Sequence, residues 1–102
     1  DQHFLIMEVR WSARALAALE AIQDYLLERS PSAALRMVTV LRAAGETLST
    51  MAQRGRPGRW PGTRELIVAN TPYLIPYRVR GEVVEILRVF HGARRWPPTA
   101  DD

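Results

Sequence analysis

"RELIVANTPYLIPYRVRGEVVEILRVF", Arg64 to Phe90, is the stretch that decides the fold. It divides into three runs rich in β-branched and aromatic residues, Arg64 to Ala69, Tyr73 to Arg80 and Val83 to Phe90. Asn70-Thr71-Pro72 separates the first two, and Gly81-Glu82 the last two. Runs of this composition between turn residues predict strands, and a two-residue break containing glycine predicts a tight hairpin. The sequence therefore predicts a three-stranded antiparallel meander. Alternation puts Tyr73, Ile75, Tyr77 and Val79 on one side of the middle strand and Leu74, Pro76, Arg78 and Arg80 on the other, which reads as more exposed. Pro76 cannot donate to a ladder, so a local irregularity is expected there.

Upstream of the meander, "GRPGRWPGT" (residues 55 to 63) holds three glycines and two prolines and is expected to be loop. Before it lie two amphipathic segments. Phe4 to Trp11 reads as a strand, after which Ser12 can cap a helix reaching about Arg29, with Leu16, Leu19, Ile22 and Leu26 as its buried stripe. Ser30-Pro31 supplies a second cap and a proline at the first helical position. That second helix carries Ala34, Val38, Leu41, Gly45 and Leu48 on one face and is expected to end near Arg54, with Gly55 as a left-handed cap. A break this short folds the helices into a hairpin, and Ala15, Ala18, Ala44 and Gly45 would let their backbones approach closely. The fold class expected is α+β: an N-terminal strand, then a helical hairpin covering one face of a C-terminal three-stranded meander, the other face staying open.

The 102 residues suit one domain. Met7 precedes the strand-like Glu8 to Trp11, so residues 1 to 6 are expected to be an upstream extension, and residues 98 to 102 a disordered tail. There is no cysteine, and His3 and His91 lie far apart, so neither a thiolate nor a histidine-rich metal site is expected, and no cofactor. No apolar run approaches the roughly 20 residues that cross a bilayer, and a cytoplasmic protein without membrane contact is the expectation. All fourteen basic residues are arginine, for a net charge of +3 against eleven acids. Most of them lie between Arg54 and Arg95, which points to a partner with acidic groups.

Four pieces together resemble the ParE branch of the RelE/ParE toxin superfamily: "VRWSARALAALEAI" (Val9 to Ile22), "GRPGRWPGTRELIV" (Gly55 to Val68), "TPYLIPYRV" (Thr71 to Val79) and "VEILRVFHGARRWP" (Val84 to Pro97). The resemblance implies a type II toxin, neutralised by a cognate antitoxin in a hetero-oligomer. Within the superfamily, ParE proteins block DNA gyrase by binding it, whereas RelE proteins cut messenger RNA on the ribosome. Fold cannot separate the two. Cleavage needs a base for the 2′-OH, cations for the phosphorane and an acid for the leaving oxygen. This chain has no lysine, and Leu74 stands where many ribonuclease members carry arginine in a Tyr-Arg-hydrophobic-hydrophobic-Tyr motif. What remains for that alternative is Arg64, Arg78, His91 and Arg94.

The residues themselves leave choices open. His91 reads more simply as a structural histidine. Arg64 is either an anchor tying residues 56 to 62 to the sheet or a functional cation, and Trp60 either a plug for its loop or a contact. Arg94, Arg95 and Trp96 are either a solvated tail or, with Arg59, a target-binding cluster, since arginine and tryptophan are enriched in hot spots. Leu27, Met37 and Val40 are apolar residues left outside the buried stripes and are the expected antitoxin contacts.

Overall fold

The computed structural model describes residues 6 to 92, so residues 1 to 5 and 93 to 102 enter no structural statement. Strand β1 (Glu8–Trp11) leads into helix α1 (Ala13–Leu27), followed by α2 (Pro31–Glu46) and a 3-10 turn (Thr47–Ser49). Five further strands complete the order: β2 (Arg56–Pro57), β3 (Arg64–Ile67), β4 (Tyr73–Arg80), β5 (Val83–Ile86) and β6 (Phe90–His91). Both helix starts are as the sequence predicts. Ser12 Oγ accepts from the Ala15 N–H, Ser30 Oγ accepts from the Ala33 N–H, and Pro31 opens α2.

The sheet is larger than the expected meander and is mixed. Its order is β1-β5-β4-β3-β2, with β1 parallel to β5 and the other pairs antiparallel. The sequence gives no local signal for the β1 pairing, which requires the helices to carry the chain over the sheet before it returns. Residues 55 to 63 are not all loop either, because Arg56 and Pro57 pair with Glu65 and Arg64.

Val83 to Phe90 is not one strand. Tyr77 faces Ile86 but Leu74 faces Phe90, so three steps along β4 correspond to four along its neighbour, and the extra residue separates β5 from β6. This is a bulge, and it lies opposite Pro76. The Leu87 N–H donates to the Pro76 carbonyl at 2.9 Å. Because a strand residue's N and O point to the same neighbour, the missing N–H also faces the bulge, and the β3 ladder loses nothing.

The helices cover the face that holds Ile75, Tyr77, Val84 and Ile86, all fully buried, together with Leu19, Leu41 and Leu48. Two expectations about the helices need correction. Leu16 is 44% exposed, and Ala15 takes its place in the stripe. Helix α2 stops at Glu46, and Gly55 is not a left-handed cap, since among the described glycines only Gly62 and Gly81 have positive φ. Gly55 is required by a close approach instead: a Cβ there would stand 2.6 Å from Tyr77 Cε1. Its N–H donates to the Tyr77 hydroxyl, which donates to the Ala52 carbonyl, both at 2.8 Å. The central strand thereby fastens the chain entering β2, and burial raises the Tyr77 phenol above its ordinary pKa.

Gly45 has a packing reason, though against the sheet rather than the other helix. A Cβ there would lie 2.5 Å from Trp11 Cζ2 and 2.9 Å from Ile86 Cδ1. Trp11 cannot easily yield, because its Nε1 donates to Glu46 at 2.8 Å and the Arg42 guanidinium stands 5.2 Å from its ring. Alanine at position 45 would gain about 1 kcal/mol of helix propensity and incur about 1–3 kcal/mol of overpacking. Gly45→Ala is therefore expected to lower the urea midpoint, and a raised midpoint would show that the site is not packed as described.

Candidate partner-binding surface

Register fixes which side chains share the sheet's outer face, the one turned from the helices. Cross-strand partners point the same way. With Ile75, Tyr77, Val84 and Ile86 inward, the outer set runs Glu8 and Arg10 on β1, Val83 and Glu85 on β5, Leu74, Pro76, Arg78 and Arg80 on β4, Glu65 and Ile67 on β3, and Arg56 on β2. This face is not bare as expected. Glu65, Pro76 and Phe90 are buried on it, forming a patch apart from the helix-side core.

Glu65 is the organising group. Its carboxylate is 1% exposed, and Oε1 accepts from Arg56 Nε at 3.2 Å and Nη2 at 3.0 Å. Oε2 accepts the Arg59 backbone N–H at 3.0 Å, with the Arg59 guanidinium 4.0 Å away. The loop closes on itself as well, the Gly58 N–H donating to the Thr63 carbonyl and the Thr63 hydroxyl to that of Trp60. Arg56 and Arg59 are consequently held at one corner while each stays about half exposed. Neither Glu65 nor Arg56 stood out in the sequence. The available signal was an acid inside an apolar strand, directly after a glycine- and proline-rich run carrying arginines.

Arg64, by contrast, points to the helix side opposite Tyr77. It donates to the carbonyls of Gly55 at 2.8 Å and Gln53 at 3.4 Å, so it anchors the approach to the loop rather than residues 56 to 62. Arg78 and Arg80 share Glu85 at 3.0 and 3.4 Å. At the far side, the Arg10 guanidinium beside Glu8 holds that carboxyl below its ordinary pKa.

His91 lies opposite Tyr73, edge-on to its ring at 5.6 Å, and lines a cleft with Ile22, Tyr25 and Val89 on the helix side. The described residues named for RNA cleavage, Arg64, Arg78 and His91, are thus not brought together. Arg64 and His91 share a face but oppose positions four residues apart on β4, about 13 Å along a strand. Arg78 is on the other face, and Arg94 lies outside the described residues, as do Arg95 and Trp96. Among the described residues there is no group of three or more His, Cys, Asp or Glu placed to hold a metal ion, and no helix long and apolar enough to cross a membrane.

The candidate antitoxin contacts separate. Met37 and Val40 line an apolar groove with Leu26 and Ala33, closed on the other side by Ala69 and Thr71 after β3. Met37 also packs on the core, while Val40 is 39% exposed. Leu27 is 44% exposed at the end of α1 and does not line that groove.

If Glu65 holds the corner together, replacing its carboxylate must loosen the loop. Glu65→Gln keeps one acceptor but loses the charge-assisted pair, with an expected stability loss of about 1–3 kcal/mol. The Arg59 amide should exchange faster with solvent by NMR. Unchanged exchange would show that the loop is held by other contacts.

A family model describing the ParE toxin of type II toxin-antitoxin systems (parDE) matches residues 9–96. Toxin RelE2 of Caulobacter vibrioides is 44% identical over 87 residues, covering 85% of this chain and 97% of that one. Among solved structures, a chain of the chromosomal ParDE system from P. aeruginosa superposes with a TM-score of 0.78 at 34% identity, covering 84% of this chain and 96% of its own. A chain of the RelBE2 toxin-antitoxin complex from Mycobacterium tuberculosis gives a TM-score of 0.57 at 25% identity, covering 89% and 97%. With its helical hairpin on one face of a mixed sheet and a family match over nearly its whole length, this chain belongs to the ParE toxins of type II toxin-antitoxin systems, within the RelE/ParE superfamily.

Proposed function

We propose that this toxin acts by binding its target rather than by cutting RNA, that the target is DNA gyrase, and that a cognate antitoxin holds it inactive in the cytoplasm. The observation that carries the binding reading is the dispersal of the groups cleavage would require. Arg64 is engaged by backbone carbonyls, Arg78 by Glu85, and the two lie on opposite faces of the sheet. Leu74, in the middle of Tyr73-Leu74-Ile75-Pro76-Tyr77, supplies no cation, and the chain has no lysine to act as base or phosphate ligand. Gyrase as target is supported by membership of the ParE family. Ribosome-dependent mRNA cleavage through Arg64, Arg78, His91 and Arg94 is the alternative, favoured by the RelE names of relatives such as that of Caulobacter.

In this reading Arg94, Arg95 and Trp96, with Arg59, supply the target contact, as an arginine and aromatic cluster suits a hot spot. The antitoxin would form a hetero-oligomer with the toxin by laying an apolar segment along α2 against the end of β3, where Met37 and Val40 face Ala69 across the groove, with Leu27 as a separate contact at the end of α1.

Controlled expression separates the alternatives. Growth arrest with induction of a DNA-damage reporter and intact transcript ends is the expected result. Discrete new transcript ends that vanish with His91→Ala, without the reporter response, would replace the binding reading by the ribonuclease. For the antitoxin, Val40→Asp should weaken binding by at least tenfold, corresponding to about 1.4 kcal/mol, while growth arrest without antitoxin persists, since Val40 is exposed on the groove. Undiminished rescue by the antitoxin would move its site elsewhere.

A further inference from the structure

At the outer corner of the sheet, Arg56 and Arg59 form the rim of a cleft whose other walls are Ile67, Leu74, Pro72, Thr71, Tyr73 and Gly92. Ile67, the last residue of β3, is 55% exposed there. The cleft measures about 270 Å³, below the ~300–1,000 Å³ of small-molecule sites, so it suits a side chain rather than a ligand. We propose that it receives an acidic segment of the target protein, one aliphatic or aromatic side chain resting on Ile67 and Leu74 while flanking carboxylates meet Arg56 and Arg59. The inference rests on the binding reading and names the chemistry of the segment bound.

Three features point to this occupant. First, among the described residues the outer face and its corner carry the five guanidinium groups of Arg10, Arg56, Arg59, Arg78 and Arg80 against the three carboxylates of Glu8, Glu65 and Glu85. The excess is positive, so the complementary partner is acidic. Second, carboxylates alternate with the arginines across the strands. A nucleic acid backbone is a continuous line of negative charge, and Glu85 and Glu8 would repel it along the face, whereas a folded protein can present charge in a matching pattern. Third, the floor is apolar, which gives an anchor residue something to bury and a phosphate nothing. Glu65 supplies the preorganisation. By fixing Arg56 and the Arg59 backbone before the partner arrives, it reduces the ordering left to be done on binding.

The test places a photo-cross-linking amino acid at position 67 of the full chain, expressed in cells without antitoxin and irradiated. The expected adduct is to a protein segment in which Asp or Glu flanks an apolar residue, reduced about tenfold by Arg59→Glu, the loss of one hot-spot contact. An adduct on RNA or DNA, on a segment without acidic residues, or one undiminished by Arg59→Glu would overturn the proposal. So would an adduct no stronger than that from the same probe at Glu82, on the remote β4–β5 turn. An acidic segment belonging to a protein other than gyrase would remove gyrase as target while leaving the cleft's chemistry standing. Cleaved transcripts together with an RNA adduct would remove both.

Discussion

A carboxylate buried on the side of the sheet away from the core, that of Glu65, is the constraint on which the outer corner of the sheet depends. Taking a carboxylate out of water costs several kcal/mol unless it is paired and its lone pairs are filled. Glu65 meets that cost with Arg56, whose Nε and Nη2 both donate to Oε1, and with the Arg59 backbone N–H, which donates to Oε2. Loop geometry and arginine placement are therefore one problem with one solution. The glycines and prolines of residues 55 to 63 allow the turn, and the carboxylate selects which turn is kept.

The same sheet performs two tasks because its faces are chemically unlike. Inward, Leu19, Leu41, Leu48, Ile75, Tyr77 and Ile86 bury apolar surface under two helices, and this burial supplies the main driving force for folding. Tyr77 joins the tasks. Its ring belongs to the core while its hydroxyl fastens Gly55, from which the chain runs into β2 and out to the opposite face. Outward, charge replaces burial, and nearly every guanidinium there has a carboxylate neighbour. Arginines fixed in this way can grip an acidic partner without being arranged for proton transfer, and fold alone does not decide between the two uses.

What could be read in the sequence was local. The serine caps at Ser12 and Ser30, the strands β3 and β4 with the tight turn into β5, and an irregularity at Pro76 each follow from residues within a few positions of one another. What could not be read depends on distant neighbours. The parallel pairing of β1 with β5 joins residues 75 positions apart, Ala15 displaces Leu16 because of where the sheet lies, and Gly55 is small because Tyr77 is near. Nothing local sets Glu65 apart from Arg64 beside it, and alternation along β3 sends one to each face. The tail cluster Arg94, Arg95 and Trp96 falls outside the described residues, while the corner built by Arg56 and Arg59 came into view only with the fold.

The central claim is that Glu65 and Arg56 act as a unit that sets this corner. A double-mutant cycle on unfolding free energy, with Arg56→Ala, Glu65→Ala and the pair, measures it most directly. Two charge-assisted hydrogen bonds to a buried carboxylate, discounted because Arg56 is half exposed, give an expected coupling of about 1–2 kcal/mol. A coupling within about 0.3 kcal/mol of zero, the scatter of independent sites, would mean that the two residues contribute separately and that the buried carboxylate does not organise the surface.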